Sequence, residues 1–222
     1  MIITIDGPVA SGKSTVAKTL AQKLGYHFLN TGLMYRAVAF LLMKKFNYDE
    51  KNLLCPTRKA VEVCLDVDKF IYFADGKGAS IFYDGVDITS FLKTPEMDRA
   101  SSVLSACISV RKILLTLQKK LAKDINIVAD GRDTGSVVFP DAKYKFYLTA
   151  SLEERARRWR LAEALKGVLI AEDEAKKLIK ERDQRDMKRD IAPLIVPEGA
   201  ITIDNTGLTE EETLQKFLSF IK

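Results

Sequence analysis

An α/β fold, a parallel sheet flanked by helices, follows from three observations on the 222-residue chain. Strand and helix signals alternate along it. A glycine loop of the phosphate-binding kind, GPVASGKST from Gly7 to Thr15, separates the first strand from the first helix. One region, from roughly Val63 to Leu92, breaks the rhythm with period-two stretches such as FIYFADGKGASIFYDG and predicts a small antiparallel insert.

In chain order, IITID opens the sheet, and a helix from Lys13 to Leu24 ends at Gly25. HFL is a short second strand. Thr31 starts a helix through about Phe46, with Met34, Val38, Leu41 and Leu42 on one side. After the insert, helical periodicity runs from Pro95 to Lys123, with the proline in the first turn. INIVAD is a buried strand ending in an acidic residue, Asp130, where open parallel sheets place their ligands. YKFYLTA is another strand. Ser151 and Glu154 stand in capping-box register at the start of a helix that Gly167 stops. A charge-dense helix from Ala171 to about Asp190, a proline-bounded loop, the strand AITIDNT and a helix capped by Thr209 complete the chain. The Asp75–Gly78 match to DxxG reads as a hairpin turn inside the insert. We expect one domain, 1–222.

Composition narrows the function. Apolar residues make up 47% and charged residues 29%, as in an ordinary globular enzyme. No apolar run reaches bilayer-spanning length, and Asp6 and Gly7 interrupt the N-terminus before a signal-peptide core could form. A cytoplasmic protein without a membrane partner is expected. Cys55, Cys64 and Cys107 are odd in number and lack a CxxC pair, so reduced thiols are expected rather than a disulfide framework or zinc site. The net charge is +5, and the segment from Ser151 to Arg189 carries twelve Lys/Arg against nine Asp/Glu. These charges interleave at helical spacing with only Trp159 as an aromatic companion, which predicts a solvated helix face and no nucleic-acid partner.

The loop carries the first functional signal. Gly7 and Gly12 let the backbone turn through Pro8-Val9-Ala10-Ser11 so that several N–H groups of the loop and the following helix start converge on phosphate oxygens. Lys13 would bridge the outer phosphates, and Ser14 or Thr15 would orient magnesium. A GTPase switch should carry NKxD, and no such tetrapeptide occurs. Arg36, Arg111, Arg132, Arg182, Arg185 and Arg189 instead stand near predicted loop or helix ends. A nucleotide kinase needs such cations, because two phosphorylated molecules brought head to tail repel each other.

The stretches DGPVASGKST, NTGLMYRA, DGRDTGSVVFPDA and ERDQRDMKRDIAPL, in this order to about residue 194, resemble the bacterial cytidylate kinases. The resemblance implies an enzyme that phosphorylates CMP and dCMP from ATP with Mg2+, in pyrimidine nucleotide metabolism. It implies a doubly wound P-loop core, a monophosphate-binding insert at about 63–98 and a short lid at about 155–172. Position by position, it places Thr31 and Arg36 in the monophosphate pocket, and Arg132 and Arg189 near the transferred or accepting phosphate. Ser102, Arg111 and Asp133 fall where cytosine is read, and Arg182 and Asp186 where the sugar is held. Arg155 and Arg158, neighbours on one helix face, match lid positions over the ATP phosphates. Asn30 stands where the family usually has Asp, which leaves a magnesium contact from that position open.

Chemistry supports the same assignment. Cytosine offers an amino donor beside acceptors, so Asp133 can accept while Arg111 donates. The acceptor phosphate is already ionised at neutral pH, so the sole histidine, His27, is expected to be structural and no general base is required. Two other readings stay open: a kinase for another small acceptor, and a non-catalytic nucleotide sensor that contacts nucleic acid. A monomer is expected.

Overall fold

The computed structural model describes residues 1–75 and 78–222. Among them, five strands form one parallel sheet: β1 (Ile2–Asp6), β2 (His27–Asn30), β6 (Ile127–Gly131), β7 (Tyr144–Thr149) and β8 (Ile201–Asp204). Their order across the sheet is β2-β6-β1-β7-β8, with every pairing parallel. Successive side chains leave opposite faces, and both faces are covered, which is why these strands read as apolar runs. Ile3, Ile5, Phe28, Val128 and Phe146 pack with α1 (Lys13–Leu24) and α9 (Glu210–Phe220). Leu29, Ile127 and Ala129 face the opposite core, formed with α2 (Thr31–Phe46), α5 (Pro95–Leu104) and α6 (Ile108–Leu121).

The antiparallel insert forms as expected. Strands β3 (Phe70–Asp75), β4 (Gly78–Tyr83) and β5 (Val86–Asp87) make a second sheet. Asp75 pairs with Gly78 across the hairpin, while Gly76 and Lys77 of the expected turn lie outside the described residues. Tyr72 sews the insert to the main sheet: its hydroxyl donates to Phe28 O at 3.0 Å and accepts from Asn30 N at 2.7 Å. Two short helices precede it, α3 (Glu50–Leu53) and α4 (Arg58–Cys64), so Val63 and Cys64 end a helix rather than start the insert.

The helix expected over Pro95–Lys123 is two helices bent by 102° around Ser105–Cys107. The cause is local competition for backbone groups. The Ser105 hydroxyl donates to Ser102 O at 2.9 Å, and Ser105 O accepts from Arg111 Nη1 at 2.9 Å. Among the described residues no single helix is long and apolar enough to cross a membrane, and this bent pair, which meets that measure only when joined, has Leu104, Val110 and Leu114 in the core.

The charged segment forms α7 (Leu152–Ala164) and α8 (Glu172–Lys188). Ser151 caps α7 by accepting from Glu154 N at 3.2 Å, but the reciprocal half of the box is missing. Glu154 turns its carboxylate to Arg157 and Arg158 instead, at 2.7 and 2.8 Å. At α9 the box is complete, between Thr209 and Glu212.

Candidate active site

Register brings the functional segments to one edge. Asp6 pairs with Gly131 and Asn30 with Asp130, so the chain leaves β1, β2 and β6 side by side at their C-terminal ends. The P-loop follows β1, the start of α2 follows β2, and Gly131-Arg132-Asp133 follows β6. Between them opens a cavity of about 310 Å³.

The P-loop has the backbone its glycines permit. Gly7 sits at φ +149°, where a Cβ would lie 2.0 Å from Leu148 O, and Gly12 caps α1 at φ +90°. Lys13 is held inside the loop by Pro8 O at 2.6 Å and Ser11 Oγ at 3.3 Å. Burial, with Arg132 adding to it, lowers its pKa well below the ordinary value. The Ser14 hydroxyl donates to Asp130 Oδ2, while Asp130 Oδ1 is buried without a partner among the described residues. Burial raises the Asp130 pKa against the pull of Ser14 and Lys13. Thr15 lines the cavity beside Ser14, and Thr31 Oγ1 donates to Asp130 O at 2.8 Å. Asn30 caps α2 by accepting from Leu33 N at 2.9 Å.

On the other side of the cavity, arginines and aspartates alternate. Arg36 on α2 donates through Nε to Asp98 on α5 at 2.9 Å, and Arg182 on α8 lies 3.5 Å from the same oxygen. Arg132 donates to Asp186 at 2.8 Å. Arg111 pairs with Asp133, and Arg189 approaches Asp133 at 3.5 Å. Ser102 Oγ accepts from Arg185 at 3.3 Å, which gives that arginine a place at the rim. Burial lowers the pKa of Arg182 and Arg189, with neighbouring guanidiniums adding to the effect. For Asp186 burial pushes upward, but Arg132 and Arg182 outweigh it and hold the carboxyl below its usual range. The cavity wall carries Lys13, Lys166 and Arg36, Arg111, Arg132, Arg182 and Arg189 against Asp98, Asp130, Asp133, Glu163 and Asp186. That formal excess of two positive charges among half-buried and buried side chains calls for an anionic ligand.

Most residues singled out from the sequence meet here, but Gly7, Pro8, Ser11, Arg155 and Arg158 stand behind the wall. Arg155 donates to Val9 O at 3.2 Å and to Asp183 at 2.5 Å, and Asp183 accepts from Val9 N at 3.0 Å. Arg158 donates to Ser11 O at 3.3 Å and to Asn205 Oδ1 at 3.0 Å. Both arginines therefore brace the P-loop's outer side.

Sequence reasoning missed Asp6, Asp98, Trp159, Glu163 and Lys166. Asp98, Ser101, Ser102 and Ser105 recur at helical spacing on α5, a polar stripe on an otherwise core-facing helix that could have flagged Asp98. Asp6 accepts from Thr134 N and Oγ1, both at 2.8 Å, and from Gly135 N at 2.7 Å. It thereby fixes the single π-turn Thr134–Val138 that follows Asp133.

A model of the family described as cytidylate kinase matches residues 3–222. The chain belongs to the cytidylate kinase family. The cytidylate kinase of Caldanaerobacter subterraneus subsp. tengcongensis is 41% identical over 221 residues, covering 99% of this chain and 94% of that protein. That of Caldicellulosiruptor bescii is 43% identical over 218 residues, covering 97% and 93%. A crystal structure of an uncharacterized protein from Eubacterium ventriosum shares the fold, with a TM-score of 0.53 at 12% identity over 100% of this chain and 98% of that one. Membership of the cytidylate kinase family accounts for a P-loop and a row of arginines in one cavity.

Proposed function

We propose that this member of the cytidylate kinase family transfers the γ-phosphoryl group of ATP to CMP and dCMP, giving the diphosphates and ADP. The observation that carries this reading is the continuity of the cavity from Lys13 and Ser14 to Arg36, Arg132 and the Arg111–Asp133 pair. ATP phosphates lie on the amides of Gly7 to Thr15, with Lys13 on the outer phosphates. The acceptor phosphate is held by Thr31, Arg36, Arg132 and Arg189. Asp133 accepts from the cytosine amine, Arg111 donates to the ring acceptors beside Ser102, and Arg182 and Asp186 hold the sugar.

The acceptor oxygen needs no proton removed, so this chain's residues act by aligning the two phosphates and offsetting charge that would otherwise repel. The donor set around Ser14 fits Mg2+: a hydroxyl beside a buried carboxylate whose second oxygen is unpartnered suits a hard cation that takes one or two protein oxygens and leaves the rest to phosphates. Ser14, Thr15 and Asp130 would hold it, and it would neutralise charge on the β- and γ-oxygens.

The chain is read as one domain, 1–222, whose insert at about 63–98 and lid at about 155–172 close on the nucleotides and exclude water. In closing, Arg155 and Arg158 exchange Val9 O and Ser11 O for ATP phosphates. The chain is read as a monomer in the cytoplasm, without a membrane partner; action without nucleic acid is supported by the charges of α7 and α8, which pair locally: Arg157 and Arg158 with Glu154, Lys166 with Glu163, Lys176 with Glu172. The test is turnover of a panel of nucleoside monophosphates with Mg-ATP. CMP and dCMP should react fastest, and faster turnover of AMP, UMP or dTMP would refute the base assignment.

A further inference from the structure

Asp98 lies in the first turn of α5, and its side chain is 20% exposed, toward the cavity. A single oxygen, Oδ1, gathers two guanidiniums. It accepts from Arg36 through Nε at 2.9 Å and through Nη2, and it lies 3.5 Å from Arg182 Nη1. The buried Nε of Arg182 has no partner of its own among the described residues. Carboxylate and phosphate oxygens suit the same guanidinium fork, so an incoming phosphate competes with Asp98 for the Nε–Nη2 edge of Arg36.

We infer that Asp98 is an internal stand-in for the acceptor's phosphate: it keeps Arg36 and Arg182 paired while the cavity holds no acceptor, and when one binds it yields Arg36 to the phosphate and Arg182 to the sugar. The inference rests on the proposed role of Arg36 at the acceptor phosphate. Without Asp98 the two guanidiniums, 24% and 19% exposed, would face each other across a cavity already rich in positive charge. With it, every acceptor competes with a carboxylate built into the wall. Asp98 is thus a positioning residue that lowers acceptor affinity in exchange for a folded empty site. Burial pushes its carboxyl upward, but Arg36 and Arg182 prevail and keep it ionised at neutral pH.

A purely structural clamp between α2, α5 and α8 makes the opposite forecast, since its removal would loosen the arginines and weaken acceptor binding. The experiment compares the unaltered protein with Asp98→Asn, which keeps the shape, and Asp98→Ser, which matches the neighbouring stripe. Inorganic phosphate is titrated while thermal stability is followed. The P-loop binds phosphate in all three proteins, so the difference between them belongs to the acceptor side, where Asp98 holds Arg36. Both variants should melt lower without phosphate, recover more than the unaltered protein gains, and half-saturate at about tenfold lower phosphate, a change of about 1.4 kcal/mol. KM for CMP should fall about five- to tenfold with no rise in kcat. Equal phosphate responses, or a KM that rises, would overturn the inference. Should either variant fail to fold, a crystal structure of the unaltered protein with CMP decides: Asp98 released from Arg36 supports the inference, and Asp98 still holding it refutes it. The phosphate titration needs no turnover, so absence of CDP formation would refute the kinase reading separately.

Discussion

Arg111 and Asp133 form an ion pair inside the nucleotide cavity, with side chains 7% and 13% exposed. They come from different elements, α6 and the segment after β6, and each has a second anchor: Arg111 on Ser105 O at 2.9 Å, Asp133 beside Arg189 at 3.5 Å. A carboxylate held this way accepts from an amine and repels a carbonyl. Asp133→Asn keeps the shape and removes that distinction, so the preference for CMP over UMP should fall about tenfold, the equivalent of one hydrogen bond left unmade. The ratio of kcat/KM values for the two substrates measures it, and an unchanged ratio would remove Asp133 from base recognition.

Asp130 offers a case where activity and stability should part. Its carboxyl is 3% exposed with one oxygen unpartnered, and burial raises its pKa. Ser14, Lys13, Arg132 and Arg36 offset that charge without outweighing the cost of burying it, which is tolerable in a group meant for a cation and phosphates. Asp130→Asn should therefore cost no stability at pH 7 while lowering kcat at least about 100-fold. Urea denaturation and a saturating assay on the same preparation test it. A loss of both would mark Asp130 as a structural group.

Gly7 should tolerate nothing larger. At its φ of +149°, Leu148 O stands 2.0 Å from the place a methyl group would take, so the obstacle is backbone and not a flexible side chain. Gly7→Ala should destabilise the protein by about 2–4 kcal/mol and distort the phosphate cradle. A denaturation midpoint within error of the unaltered protein would show that the loop relaxes at no cost.

What could be read from the sequence follows from how local its cause is. The helices Lys13–Leu24 and Thr31–Phe46 and the strand ending at Asp130 were legible because caps, glycine stops and apolar periodicity act over a few residues. The bend at Ser105–Cys107 was not, although its cause is local, because helical periodicity continues through it and only the bond from Arg111 to Ser105 O, six residues back, marks the break. The π-turn after Asp133 depends on Asp6, 128 residues earlier. In the site, Lys13, Arg36, Arg132 and Asp133 were legible from motif and charge together. Helical spacing put Arg155 and Arg158 on one face, but it could not show that their partners are carbonyls of Val9 and Ser11. Asp98 carried a local signal, the polar stripe on α5, whose meaning appears only when Arg36 and Arg182 converge on it.

Two carboxyls with opposite shifts should shape the stability-versus-pH curve. Burial raises Asp6 from 3.8 to about 6, although the N–H groups of Gly135 and Thr134 pull it back. Glu154 is lowered from 4.5 to about 2, first by its hydrogen bond with Arg157 and then by Arg158. Between the ordinary and the raised value of Asp6 the folded protein binds more protons than the unfolded chain, so stability falls as pH rises from about 4 to about 6. The loss from this group approaches about 3 kcal/mol. For Glu154 the unfolded chain binds more protons between about 2 and 4.5, so stability rises with pH there. Solvent screening at this exposed pair keeps that gain to at most about 1 kcal/mol. Asp6→Asn must turn an amide toward one of three donors, so it should be less stable at every pH, yet its curve should lose the descending limb between pH 4 and 6. Glu154→Gln should keep that limb and lose the ascending one below 4.5. Urea midpoints at half-unit pH steps distinguish the two, and a descending limb that survives in Asp6→Asn would assign it to another group.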